Sequence, residues 1–172
     1  MLDIIKTRRS IRKFEDREVE KDKLKAILQG ALTAPSSRGK RPWNLIAVTE
    51  KEQFNQLSQC REVGSSFLAD ASACIVIVGD PTVTDVWIED ASIIATILLL
   101  EAHGQGLGAC WCQVRNRETK DGNSSSDFVK SVLGIPAQYS VECIIGMGYP
   151  GEEKQPYDED ELPYDKIRYG RW

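Results

Sequence analysis

The chain has 172 residues, 41 % hydrophobic and 28 % charged, with 22 Lys and Arg against 26 Asp and Glu for a formal net charge of -4. That profile belongs to a soluble globular domain of ordinary size and excludes a disordered chain, a collagen-like repeat and a small scaffold that needs disulfide staples. The acidic balance, and the lack of aromatic residues among the N-terminal arginines, exclude a nucleic-acid-binding module.

In chain order, "LDIIKTRR" reads as a short amphipathic helix with Asp3 near its start, and "SIRKF" alternates like an extended segment. From Val19 the spacing of Leu24, Ile27, Leu28 and Ala31 predicts a second helix that Pro35 stops. "PSSRGKRPW" is a loop and "NLIAVT" a strand. Residues 50–60 predict a helix with Phe54 and Leu57 inward, "FLADASA" a second short one, and "CIVIVGD" a buried strand. Residues 85–103 form the longest apolar helix, ended by Gly104 before "GLGACWCQV" becomes the third strand. "SSSDFVKSVLG" is a capped helix stopped at Gly134, and "YSVECIIGMGYP" is the fourth strand. After Pro150 the chain turns acidic and proline-broken, then ends with Lys166, Arg168 and Arg171 among Tyr164, Tyr169 and Trp172. So many aromatics predict a tail lying on a surface, such as a partner subunit's.

The five cysteines are an odd number, and Cys74, Cys110, Cys112 and Cys143 lie in apolar runs, where a reduced thiol packs as a small hydrophobe. They predict a reducing, cytoplasmic setting. "MLDIIKTRRS" reaches charge before an export signal's apolar region could form, and "ASIIATILLLEA" is too short to span a bilayer.

Two glycine patterns fail as dinucleotide sites. "GMGYPG" follows a strand but opens no helix, and "GQGLGA" follows a helix and enters a strand. No Walker loop is present. Cys110 and Cys112 lack a matching pair for zinc, so no metal site is expected. A single histidine, His103, leaves hydrolase triads without support; it is either a base or a favourable charge in a helix's last turn.

The cations of "TRRSIRKF" remain. In an extended segment Arg8, Ser10 and Arg12 share one face, offering two guanidinium forks with a hydroxyl between, which fits a phosphate. The same run also fits a solvated charged face.

"TRRSIRKF", then "LTAPSSRGKRPWNLIAV", "FLADASACIVIVGD", a long apolar helix into "GLGACW", and finally "GMGYPGEEKQP", taken together over residues 3–156, resemble the FMN-dependent nitroreductase family. The resemblance implies an α+β fold with a mostly antiparallel sheet flanked by helices, a single domain over 1–172, and an intertwined homodimer with FMN in two interface clefts. Residues 151–172 would be a C-terminal extension on the partner subunit. It also implies that Arg8 meets the FMN phosphate, that Arg9 and Ser10 hold phosphate or ribityl oxygens, and that Arg12 lies toward N1 and O2 of the flavin. Pro35, Ser36 and Ser37 would reach the flavin of the other subunit. Leu107, Gly108, Cys110, Trp111 and Cys112 would line the ring through backbone groups, not thiol chemistry. Lys166 and Arg168 are implied as the second half of the phosphate clamp. Where relatives often carry Asn and Gln in the 35–42 loop, this chain has Gly39 and Arg41. The implied activity is ping-pong reduction of a nitroaromatic, quinone or similar acceptor by NADH or NADPH, the flavin carrying the chemistry with no catalytic side chain. The alternative is a protein that stores or senses FMN with negligible turnover, its ring face covered by Trp43, Arg41 or Trp111. Neither nucleic acid nor membrane is an implied partner.

Overall fold

The computed structural model describes residues 2–172. Four strands, β1 (Trp43–Val48), β2 (Ala73–Gly79), β3 (Gly108–Gln113) and β4 (Ser140–Gly148), form a sheet in the order β1-β2-β4-β3, antiparallel throughout. Among the described residues five α-helices accompany it: α1 (Leu2–Thr7), α2 (Lys21–Ala31), α3 (Lys51–Leu57), α4 (Trp87–Gly104) and α5 (Ser125–Leu133). The α+β architecture matches the expectation.

β2 and β4 are central and buried on both faces, which is why they read as unbroken apolar runs instead of alternating ones. On one face, Ile27 of α2 and Ile94 and Leu98 of α4 belong to a core with Ile75, Ile77, Ile145 and Met147. On the other, Phe54 and Leu57 of α3, Leu68 and Val129 of α5 share a core with Val76, Val78 and Ile144. Burying each large aliphatic side chain stabilises the fold by about 1.5–3 kcal/mol.

Local signals set most boundaries. The Ser124 hydroxyl accepts the Asp127 N–H at 3.2 Å to open α5, and Gly134, at φ +65°, closes it. Two expectations need adjusting. α4 runs through Gly104, and the left-handed turn falls at Gly106, φ +76°. "FLADASA" gives only a 3-10 turn over Ser66–Asp70, because Ala71 is already extended, at φ -69° and ψ 157°, and Ala73 opens β2.

α4 positions the rest. Its 18 residues extend about 27 Å. Its outward stripe of Glu89, Ile93 and Thr96, with Ile97 and Leu100 half-buried, is largely apolar, and Ile93 is 39 % exposed. A helix apolar on nearly every side is ordinarily covered all round. No helix among the described residues is long and apolar enough to cross a membrane.

Candidate functional site

The arginine segment begins where α1 ends, with the Arg8 N–H donating to Ile4 O at 3.0 Å. The chain then extends along the outer edge of β3. Ser10 makes a parallel bridge to Ala109, and the Ile11 N–H donates to Ala109 O at 3.1 Å. This approach requires Gly108, because a Cβ there would lie 2.7 Å from Ile11 Cβ. Ile11 is buried, and the residues on either side of it turn the other way. Ser10 and Arg12 both influence Cys110: burial raises its thiol pKa, and the charge of Arg12 and a bond from Ser10 pull it down. Arg8 acts on His103, whose Nε2 shares a 2.8 Å hydrogen bond with Thr7 Oγ1. Burial, and then the charge of Arg8, hold the His103 pKa below its ordinary value.

Arg9 donates to Gln155 O and lies over the Tyr157 ring, 4.7 Å from its centroid. Among the described residues neither Arg8, Arg9 nor Arg12 forms an ion pair with a carboxylate. The nearby acid, Glu152, is engaged elsewhere: it accepts the N–H groups of Arg12 at 2.6 Å and Lys13 at 3.3 Å, and pairs with Lys154 at 3.5 Å. Lys154 Nζ in turn donates to Ser10 O at 2.6 Å. A hollow of about 190 Å³ opens among Arg9, Ile11, His103, Leu107, Gly108 and Lys154. A larger one of about 650 Å³ lies by Trp87, Arg115 and Lys130, but its cations face Glu142 at 4.0 Å and Asp127 at 2.7 Å. At the smaller hollow Arg9 has no carboxylate partner among the described residues, although Glu152 and Glu153 also line it.

Leu107 is buried, its N–H donating to Ala102 O at 2.9 Å. From Gly108 onward β3 is an edge strand that meets the arginine segment only through the bridge at Ser10, so its outer rim keeps backbone groups available. Cys110 and Cys112 face α3 and α5, while Trp111 faces the α4 side. The hydrogen-bonded Cys60 thiol and burial raise the Cys112 pKa, so both strand cysteines stay protonated thiols. Trp111 Nε1 donates to Gln113 Oε1 at 2.9 Å, and Gln113 Nε2 donates to Glu142 Oε1 at 3.3 Å.

Pro35, Ser36 and Ser37 are not beside these residues. Ser37 donates its N–H to Asp90 Oδ1 at 2.8 Å, near the start of α4, and Ser36 Oγ accepts the Arg41 N–H at 2.9 Å. His103 stands at the far end of the same helix, so most of its length separates the two groups of candidate residues. Lys166 and Arg168 also stand apart. They lie in an exposed tail, where Arg168 donates to Asp165 O and to Ile167 O and stacks on Trp172.

The fold and this arrangement can be set beside known proteins. Over residues 5–61 and 50–149 the chain matches the profile of the Nitroreductase family. The chain belongs to the nitroreductase family. A solved FMN-dependent nitroreductase from Clostridium difficile R20291 is 49 % identical, with a TM-score of 0.98 and all of both chains covered. A protein of Archaeoglobus fulgidus, provisionally named NADH dehydrogenase/NAD(P)H nitroreductase, is 34 % identical over 99 % of this chain and 98 % of its own. A solved protein of Clostridium acetobutylicum, provisionally named NADH oxidase, is 28 % identical with a TM-score of 0.89, covering 99 % and 100 %.

Within this nitroreductase-family chain, sequence reasoning passed over Lys154, which sits in "GEEKQP" and reaches back to Ser10 O. Its signal was available, since it is the lone cation just after the fourth strand. The "GMGYPG" glycines serve packing. A Cβ at Gly146 would meet Leu68 at 2.7 Å, and the Gly151 N–H donates to Lys13 O at 2.8 Å, clamping the end of the arginine segment.

Proposed function

We propose that this chain is an FMN-dependent NAD(P)H oxidoreductase that acts as a homodimer on electron-poor acceptors such as nitroaromatics or quinones. The observation that carries the reading is the set of three guanidiniums without carboxylate partners beside the open edge of β3. A phosphate dianion is the chemistry such a set fits, and an edge strand fits the hydrogen-bonding rim of a flavin. The donor set therefore suits FMN.

FMN held there would supply the two-electron redox chemistry that links NADH or NADPH to the acceptor. The protein binds and orients. Arg8, Arg9 and Ser10 hold phosphate and ribityl oxygens, with Lys154 fixing the Ser10 backbone. Arg12 supplies positive charge where reduction leaves negative charge on the flavin. Backbone groups among Leu107, Gly108, Cys110, Trp111 and Cys112 would line the ring, and the protonated thiols of Cys110 and Cys112 take no part.

A homodimer is favoured by three features. The apolar outer stripe of α4 lacks cover in one chain. Pro35, Ser36 and Ser37 lie at the opposite end of α4 from the arginines, so a second copy running the other way is what would bring the two halves together. In residues 151–172, read as an extension of the single domain, Tyr169 is 90 % and Trp172 101 % exposed, and that segment with Lys166 and Arg168 fits the partner's surface. Five free, buried thiols suit a reducing cytoplasm.

The test is the visible spectrum of the purified protein, with the released cofactor identified, repeated anaerobically after NADPH and then NADH. FMN that bleaches supports the oxidoreductase. FMN that stays oxidised with both nucleotides points to storage or sensing. A protein that neither carries nor takes up FMN refutes the reading.

A further inference from the structure

Residues 38–41 place three cations in four positions, Arg38, Lys40 and Arg41, around Gly39. The backbone there is unusual: φ is +51° at Arg38 and +47° at Arg41, in the left-handed region that glycine and asparagine enter far more easily. Long cationic side chains in such positions are costly to keep and concentrate where function uses them.

The loop is anchored beneath the charges. Asp90, buried in α4, accepts the Ser37 N–H, Ser36 Oγ accepts the Arg41 N–H, and Lys40 Nζ donates to Val83 O at 2.8 Å. Lys40 is thereby committed to structure. Arg38 and Arg41 are exposed, and among the described residues neither forms an ion pair. Two carboxylates border the loop: exposed Asp85, which lines the hollow beside it, accepts from Thr84 Oγ1 at 3.4 Å, and buried Asp90 accepts the Ser37 N–H at Oδ1 while its Oδ2 has no partner among the described residues; neither pairs with Arg38 or Arg41. A hollow of about 270 Å³ opens between Arg38, Lys40 and the Thr84–Val86 segment.

We infer that Arg38 and Arg41 form an oxyanion-reading rim that selects, among the molecules exchanging electrons with the flavin, those carrying a carboxylate or phosphate. The inference rests on the proposed function, because Pro35, Ser36 and Ser37 of this same loop are the residues assigned to the partner's flavin. Two permanently charged forks on a pinned backbone suit a planar carboxylate or a phosphate. Because both arginines are exposed, their contribution is modest and salt-sensitive.

The experiment is calorimetry on the FMN-loaded dimer with two matched pairs of probes, NADP⁺ against NAD⁺ and benzoate against benzyl alcohol. The proteins are wild type, R38N/R41N and R38K/R41K. Asparagine tolerates the left-handed backbone, so the neutral double variant keeps the loop; lysine keeps the charge. In the wild type the anionic member of at least one pair binds roughly three- to tenfold more tightly. That ratio falls to about one in R38N/R41N, is partly restored in R38K/R41K, and shrinks on going to about 0.5 M salt. Discrimination within the nucleotide pair assigns the oxyanion to the donor's extra phosphate, and within the benzoate pair to the acceptor's carboxylate. Equal binding within both pairs, or a ratio that survives in R38N/R41N, overturns the rim while leaving FMN uptake and bleaching as an independent check on the proposed function. A protein that takes up no FMN overturns both.

Discussion

Gly108→Ala tests whether the approach of the arginine segment to β3 builds the site. The new methyl would sit 2.7 Å from both Cβ and Cγ2 of Ile11, against an ordinary carbon contact of about 3.5–4.0 Å. The segment must retreat by about 1 Å, since the atoms it meets belong to a buried β-branched side chain with little rotamer freedom. Overpacking of this kind costs about 1–3 kcal/mol. Stretching the 3.1 Å bond from the Ile11 N–H to Ala109 O adds about 1 kcal/mol. A total of about 2–4 kcal/mol lowers Tm by roughly 4–16 °C for a chain of this length. Retreat of Arg8 to Arg12 should also weaken FMN binding about tenfold, the scale of one charge-assisted hydrogen bond. Calorimetric melting of the protein without added cofactor, and an FMN titration, measure the two effects separately. Ile11→Gly removes the three atoms nearest the new methyl, so in that background Gly108→Ala should cost at least about 1 kcal/mol less. Equal cost in both backgrounds, or a variant that melts like the wild type, would refute the steric argument.

Further outcomes follow from the same geometry. Arg8→Ala should weaken FMN binding by about 1.5–3 kcal/mol, roughly 10- to 150-fold, measured by flavin fluorescence titration; unchanged affinity would return the cluster to a solvated charged face. His103, the single histidine, has a folded pKa below its ordinary 6.5, from burial first and Arg8 second. The unfolded chain therefore binds more protons as pH falls through that range, and stability declines as pH drops below about 6.5, having been fully present above it. His103→Gln should flatten this part of the profile. Added FMN should raise the histidine pKa seen by NMR, because a phosphate beside Arg8 offsets its charge.

Much of the fold was legible because its signals are local. "ACIVIVG" and "CIIGMG" run apolar because both faces of β2 and β4 are covered, and α5 carries its own cap at Ser124 and stop at Gly134. The end of α4 was less so: Gly104 is a plausible stop, but the chain had two glycines to choose from and turned at Gly106. The arginines could be seen as cations, yet what distinguishes them from a solvated run is the missing carboxylates, a property of the folded surroundings. The Thr7 and His103 contact joins residues 96 apart, and Lys154 reaches Ser10 across 144; no spacing rule addresses such pairs.

The loop at 38–41 was illegible for a different reason. Local propensity argues against left-handed backbone at an arginine, and tertiary anchoring through Asp90, Ser36 and Lys40 overrides it. Its position matters as much as its shape. On the proposed reading the flavin cleft draws Arg8 to Arg12 from one end of an 18-residue helix and Pro35 to Ser37 from the other end in a second copy. Dissociating the dimer by dilution should therefore release FMN even though every arginine stays folded in place. Size-exclusion chromatography, with flavin absorbance followed across a dilution series, measures both at once. Loss of FMN in step with the monomer fraction is the expected result, and a monomer that keeps its flavin would refute the division of the site between two chains.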